Sequence, residues 1–178
     1  MQLLDLIQST RIEKAVIFAA RAWEESPHNP KPTLFHSLRV SFALLEFGYP
    51  AEYAELAILH DILEDTSTTY EDIARQFGKE AADLVDSLSH RESIQNWEER
   101  YNEMFRRVVA AGKMAIIVKM VDIADNSLYI EHVENRTFQA DLVKKMKVFL
   151  DLSEMYSAEP AWKYLHSRWE EEHRRLEG

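Results

Sequence analysis

Apolar side chains recur at three- and four-residue intervals along nearly the whole chain, the period of an amphipathic helix. Ser9-Thr10 followed by Glu13 reads as a helix start, where a hydroxyl caps the free amides of the first turn. Ile12, Val16, Ile17, Phe18, Ala20 and Trp23 then follow at helical spacing. Ser26 to Pro32 contains three prolines and reads as a rigid loop. A second helix is expected over 33–47 and stops at Gly48. Pro50 opens a third, running to about Asp65. Thr66-Ser67-Thr68-Thr69 is a turn and a fresh cap for a short helix that ends near Phe77-Gly78. Further helices are expected at 79–91, 96–110, 113–131, 137–156 and 159–176. No alternating strand pattern, repeat or interdomain linker interrupts the series. The expectation is an all-α, single-domain bundle of roughly eight or nine helices.

Composition agrees. The 178 residues include only 4 glycines and 5 prolines, too few for many short strands and turns. Cysteine is absent, which excludes disulfide scaffolds, thiolate nucleophiles and cysteine-ligated zinc. No apolar run approaches the ~20 residues of a membrane span. The segment Met1–Ile7 lacks the basic leader and cleavage site of a signal peptide. A soluble, cytoplasmic protein that contacts no membrane is the expectation. The net charge of −10 argues against a nucleic acid polymer as partner. Glu170 to Arg175 reads as a solvated, mixed-charge helix face. Trp162, Tyr164 and Trp169 read as packing or the seam of a homo-oligomer.

Candidate chemistry is concentrated in His60-Asp61-Ile62-Leu63-Glu64-Asp65. On a continuous helix these four polar side chains cover roughly 140° of arc. Leu56, Ile58, Leu59, Ile62 and Leu63 fill the rest. Like charges four residues apart destabilise a helix, and a bound cation would compensate. The alternative is an acidic stripe facing solvent. Three features favour the cation. His36 occupies an apolar position within Leu34-Phe35-His36-Ser37-Leu38. Asp122 interrupts the apolar run Ala115 to Val121, where an unpartnered carboxylate is costly. Asn126 lies one turn beyond it. Two histidines and two aspartates make a mixed nitrogen and oxygen donor set suited to Mn²⁺, Fe²⁺ or Zn²⁺.

The order His36, His60-Asp61, Asp122 resembles the signature of the HD superfamily of metal-dependent phosphohydrolases. The longer segments Lys31-Pro32 to Val40, Ala57 to Thr66, Phe77-Gly78 and Val118 to Asn126 resemble the hydrolase domain of RelA/SpoT homologues and the small alarmone hydrolases. The resemblance covers about 14–130, with the later helices (137–176) packing on that core. It implies one divalent metal, Mn²⁺ in the family, on His36, His60, Asp61 and Asp122. Glu64 and Asp65 would orient and deprotonate the attacking water, and Asn126 would contact a nucleotide. The implied activity is guanosine-3′,5′-bis(diphosphate) 3′-pyrophosphohydrolase. Alternatives are an HD nucleotidase or phosphodiesterase with another nucleotide, and a non-catalytic nucleotide-binding HD protein. Retention of Glu64 and Asp65 argues against the last.

The chain also departs from that family. Its loop Trp23 to Asn29 lacks the basic pair that clamps the alarmone, Thr33 stands where the family has an aromatic, and Leu128 where it has an arginine. Other candidate substrate contacts are Arg39, Lys119 and Arg21. Arg39 can reach a phosphate, pair with a metal-ligand carboxylate or lie on the surface. Lys119 can neutralise phosphate or snorkel. Arg21 faces the cleft or stands exposed. Tyr101 and Phe105 read as packed inward rather than as a stacking platform.

Overall fold

The structure, a computed structural model, describes residues 5–26 and 32–178. Most of the proline-rich loop, including Lys31, and the start of the Met1–Ile7 segment lie outside the described residues. The helices are α1 (Leu6–Glu24), α2 (Thr33–Glu46), α3 (Ala51–Leu59), α4 (Ile62–Asp65), α5 (Tyr70–Phe77), α6 (Lys79–Leu88), α7 (Trp97–Ala111), α8 (Lys113–Asn126), α9 (Arg136–Leu152) and α10 (Pro160–Glu177). Short 3₁₀ segments, Ser127–His132 and Glu154–Tyr156, flank α9. No strand occurs among the described residues, so the all-α expectation holds.

The helix starts follow from local chemistry. The Asp5 side chain accepts from the Gln8 amide, and the Gln8 side chain accepts from the Asp5 amide. This reciprocal pair begins α1 a turn before the expected Ser9-Thr10 cap. Thr10 instead turns its hydroxyl back to the Leu6 carbonyl inside the helix. Thr69 and Asp72 cap α5 reciprocally, as the threonine cluster led one to expect. Gly78 and Gly112 (φ +92° and +96°) join α5 to α6 and α7 to α8 with no further linker.

The expected helix from Pro50 to Asp65 is broken. The chain leaves α3 at His60, passes Asp61 at φ −97° and ψ 0°, and restarts as α4. The Asp61 carbonyl accepts from the amides of both Glu64 (3.1 Å) and Asp65 (3.0 Å), which reseeds the helix. The helix expected to reach residue 131 likewise ends at Asn126 and tightens into the 3₁₀ turn. There the Ser127 hydroxyl donates to the Ala124 carbonyl.

Helix α8 is the axis of the molecule. Every residue from Ala115 to Asp125 is buried, the mark of a helix packed on all sides. It touches α2, α3, α6, α7, α9 and α10. Phe105 and Phe149 close the far side, with ring centroids 4.6 Å apart. Trp162, Tyr164 and Trp169 pack against the core, and the Trp162 indole donates to the Leu150 carbonyl. The C-terminal charges are not all solvated: Glu172 is 5% exposed and held by Arg168 (3.0 Å) and Arg175 (2.8 Å). No helix among the described residues is long and apolar enough to cross a membrane.

Candidate metal centre

Helix α2 and the α3–α4 break converge beside α8. Helix α2 contributes His36, the α3–α4 break contributes His60 and Asp61, and α8 contributes Asp122. One donor atom from each lies within 4.8 Å of the others. His36 Nε2 is 3.1 Å from Asp122 Oδ1 and 3.7 Å from Asp61 Oδ2. His60 Nε2 is 3.0 Å from Asp61 Oδ1 and 3.4 Å from Asp122 Oδ1. Both imidazoles are fully buried.

The break in the third helix explains how adjacent residues share one centre. On a continuous helix His60 and Asp61 would diverge by about 100°. The Asp61 backbone turns out of the helix and swings its carboxylate beside His60.

Hydrogen bonds fix the rings. His60 Nδ1 lies 2.6 Å from the Ala57 carbonyl, which can only accept, so this nitrogen carries the proton. His36 Nδ1 lies 2.5 Å from Asp125 Oδ2. In the neutral rings the remaining lone pairs are on the two Nε2 atoms, 3.3 Å apart. Two lone pairs facing each other between two carboxylates need a positive charge between them. Burial pushes His60 down, yet Asp61 and Asp122 lift it to about 10. The carboxylates that favour a proton there also favour a cation, and the donor set fits a divalent ion.

A cavity of about 300 Å³ opens beside the cluster, bounded by Asp61, Glu64, Asp65, Lys119, Asp122 and Asn126 among others. Lys119 Nζ donates to Asp122 Oδ2 at 2.9 Å, and Asn126 Nδ2 to Asp122 Oδ1 at 2.6 Å. Lys119 is only 4% exposed, so it does not snorkel. Burial opposes its charge, but Asp122, Asp61 and Glu64 hold it protonated. Glu64 Oε1 accepts the His90 amide at 2.6 Å. Burial, then the charge of Asp61, pushes Glu64 up to about 7.

Several wall residues were not singled out by the sequence. His90, Tyr129 and Lys145 come from the α6–α7 segment, the 3₁₀ turn and α9, and they meet one another, and Tyr101 of α7, only in the fold. The Lys145 ammonium sits 3.5 Å over the Tyr101 ring. Tyr101 is thus half-buried on the cavity wall, while Phe105 packs inward as expected. Burial, followed by Lys119 and Lys145, lowers His90 to about 3. Asp125 was also missed, although it interrupts the same apolar run as Asp122. Against burial, Arg39 and His36 keep its carboxyl below the usual carboxylate range. Arg39 is turned to Asp125 rather than toward the cavity. Arg21 stands exposed on α1 and does not line the cavity.

Comparison with known proteins places these features in a family. The chain matches the HD domain over residues 15–153. It is 33% identical over 131 residues to the guanosine-3′,5′-bis(diphosphate) 3′-pyrophosphohydrolase of Aquifex aeolicus, covering 70% of this chain and 19% of that protein. It is 31% identical over 123 residues to the bifunctional (p)ppGpp synthase/hydrolase SpoT of Escherichia coli, covering 67% and 18%. The chain therefore spans about a fifth of the length of these curated relatives. A solved structure described as a metazoan SpoT ortholog that hydrolyzes ppGpp superposes with a TM-score of 0.76, covering 98% of both chains at 18% identity. The match contains His36, His60-Asp61 and Asp122, and by it the chain belongs to the HD-domain family.

Proposed function

We propose that this chain is a metal-dependent phosphohydrolase that cleaves a pyrophosphate ester of a nucleotide, guanosine-3′,5′-bis(diphosphate) foremost. One observation carries the reading: two buried imidazole lone pairs and two carboxylates converge on a point that opens into a cavity lined by Glu64, Asp65 and Lys119. His36, His60, Asp61 and Asp122 hold one divalent ion, Mn²⁺ first and Fe²⁺ or Zn²⁺ as alternatives. When bound, such an ion acidifies water and offsets phosphate charge. Glu64 and Asp65 stand on the next turn and accept the proton of the attacking water. The His90 amide fixes one Glu64 oxygen, which sets the direction of the carboxylate. Lys119 and Lys145 supply positive charge at the cavity wall, and Asn126 offers polar contact to the substrate. Two relatives of the chain are named for hydrolysis of this alarmone, which supports the substrate class.

A specific departure keeps a second substrate in view. Residues 23–29 contain no lysine or arginine, so the clamp expected for the alarmone is absent. A different nucleotide phosphate ester is the second reading. Incubation with Mn²⁺ and a panel of ppGpp, pppGpp, ppApp, NADPH and nucleoside mono-, di- and triphosphates separates them. Pyrophosphate released from ppGpp is the expected product. Orthophosphate from another member would establish the second reading, and no product from any member would leave only a nucleotide-binding protein.

A further inference from the structure

One carboxylate beside the centre has no part in the proposed function. Asp125 is 5% exposed and lies three residues beyond Asp122 on α8. Its Oδ2 accepts from His36 Nδ1 at 2.5 Å. Arg39, one turn after His36 on α2, grips the same carboxylate with two bonds. Its Nε reaches Oδ1 at 2.8 Å and its Nη2 reaches Oδ2 at 2.7 Å. That Nη2 also donates to the Tyr129 hydroxyl at 2.8 Å. The guanidinium carbon lies 5.1 Å from the Phe35 ring centroid and 5.5 Å from that of Tyr129.

We propose that Asp125 and Arg39 form a positioning pair for the metal centre. Asp125 holds His36 with Nε2 turned toward the cation, and Arg39 holds Asp125. This rests on the metal-binding part of the reading above and adds residues to it. The two histidines are secured differently. His60 is fixed by a backbone carbonyl, which substitution cannot remove. His36 depends on a side chain, so its tautomer and ring angle depend on Asp125. A buried carboxylate in turn needs a partner for its charge. The planar fork of arginine satisfies both oxygens at once, which a lysine could not. Arg39 therefore acts through Asp125 and not as a phosphate ligand.

The test is Mn²⁺ titration of metal-stripped protein by calorimetry, with no substrate present. Asp125→Ala should weaken Mn²⁺ binding about ten- to hundredfold, the usual effect of losing such a partner. Asp125→Asn keeps an oxygen for His36 Nδ1 and should lose less. Arg39→Met should weaken binding by a smaller factor than Asp125→Ala. The double variant should bind no worse than Asp125→Ala, because Arg39 acts only through that carboxylate. Far-UV circular dichroism establishes folding. If Asp125→Ala fails to fold, Asp125→Asn, Arg39→Met and their combination carry the comparison. Unchanged affinity in the folded variants, or losses that simply add, would overturn the pair while leaving the metal centre in place. So would an Arg39→Met protein with full Mn²⁺ affinity and a raised KM for nucleotide. A wild-type chain that binds no Mn²⁺, Fe²⁺ or Zn²⁺ would instead remove the metal reading and the pair with it.

Discussion

Asp122 is the residue on which the centre turns. It touches His36, His60, Lys119 and Asn126, and it is 3% exposed. Breaking a buried ion pair by removing one partner costs about 3–5 kcal/mol. Lys119→Met should therefore destabilise the metal-free protein by about that amount in urea unfolding. Mn²⁺ can replace the lost positive charge, so the difference from wild type should shrink when the ion is present. An equal loss with and without Mn²⁺ would show that the ion does not stand in for the Lys119 charge on Asp122. At the same scale, Glu64→Gln combined with Asp65→Asn should leave Mn²⁺ affinity within a small factor and lower kcat by about 10²–10⁴. Unchanged turnover would remove both carboxylates from the chemistry. His36 and Asp122 could be picked out in the sequence because a polar group inside an apolar run demands a partner. Asp125 meets the same criterion, but its partners His36 and Arg39 stand on α2, far away in the chain, so its role shows only in the fold. His90, Tyr129 and Lys145 could not be picked out, because the cavity wall joins elements far apart in the chain.

Helices are the level at which the sequence was most informative, and their ends the level at which it was least. Periodicity marks a helix by its buried face, which survives any small error in where the helix begins. The ends are decided by single hydrogen bonds. Asp5 with Gln8 displaced the expected Ser9-Thr10 cap in this way. Asp5→Ala should thus cost about 0.5–1 kcal/mol, while Ser9→Ala should change stability little. Chemical denaturation of the two variants decides between the caps, and a larger loss in Ser9→Ala would place the working cap at Ser9. The break at His60-Asp61 had no sequence signal, for neither glycine nor proline stands there. The apolar residues around it keep helical spacing because both α3 and α4 pack on the same core. The bend lies in the Asp61 backbone (φ −97°, ψ 0°) and leaves the Asp61 carboxylate 3.0 Å from His60 Nε2, a tertiary contact that no local pattern contains.

At the scale of the whole molecule the charge of −10 acquires a location. Asp61, Glu64, Asp65, Asp122 and Asp125 surround one centre, answered in the protein itself by Lys119 and Arg39. Folding brings these carboxylates together against their repulsion, and a bound divalent ion relieves it. An ion that binds only the folded state stabilises it by RT ln(1 + [L]/Kd), about 2.7 kcal/mol at a hundredfold excess over Kd. For a chain of this length each kcal/mol moves Tm by about 2–4 °C, so saturating Mn²⁺ should raise Tm by about 5–11 °C over protein held in chelator. A cation acting only by screening surface charge would do the same with any salt of equal ionic strength. Ca²⁺ provides the first control: it prefers an all-oxygen shell of six or more ligands, and the histidine nitrogens here should give it a smaller shift. Asp61→Ala provides the second, because it removes one donor and leaves the other surface charges in place. If Mn²⁺ raises Tm equally in wild type and Asp61→Ala, the stabilisation belongs to the acidic surface and not to the site. If the shift disappears in Asp61→Ala and is small with Ca²⁺, the helices of this bundle are arranged around a cation that the fold has prepared to receive.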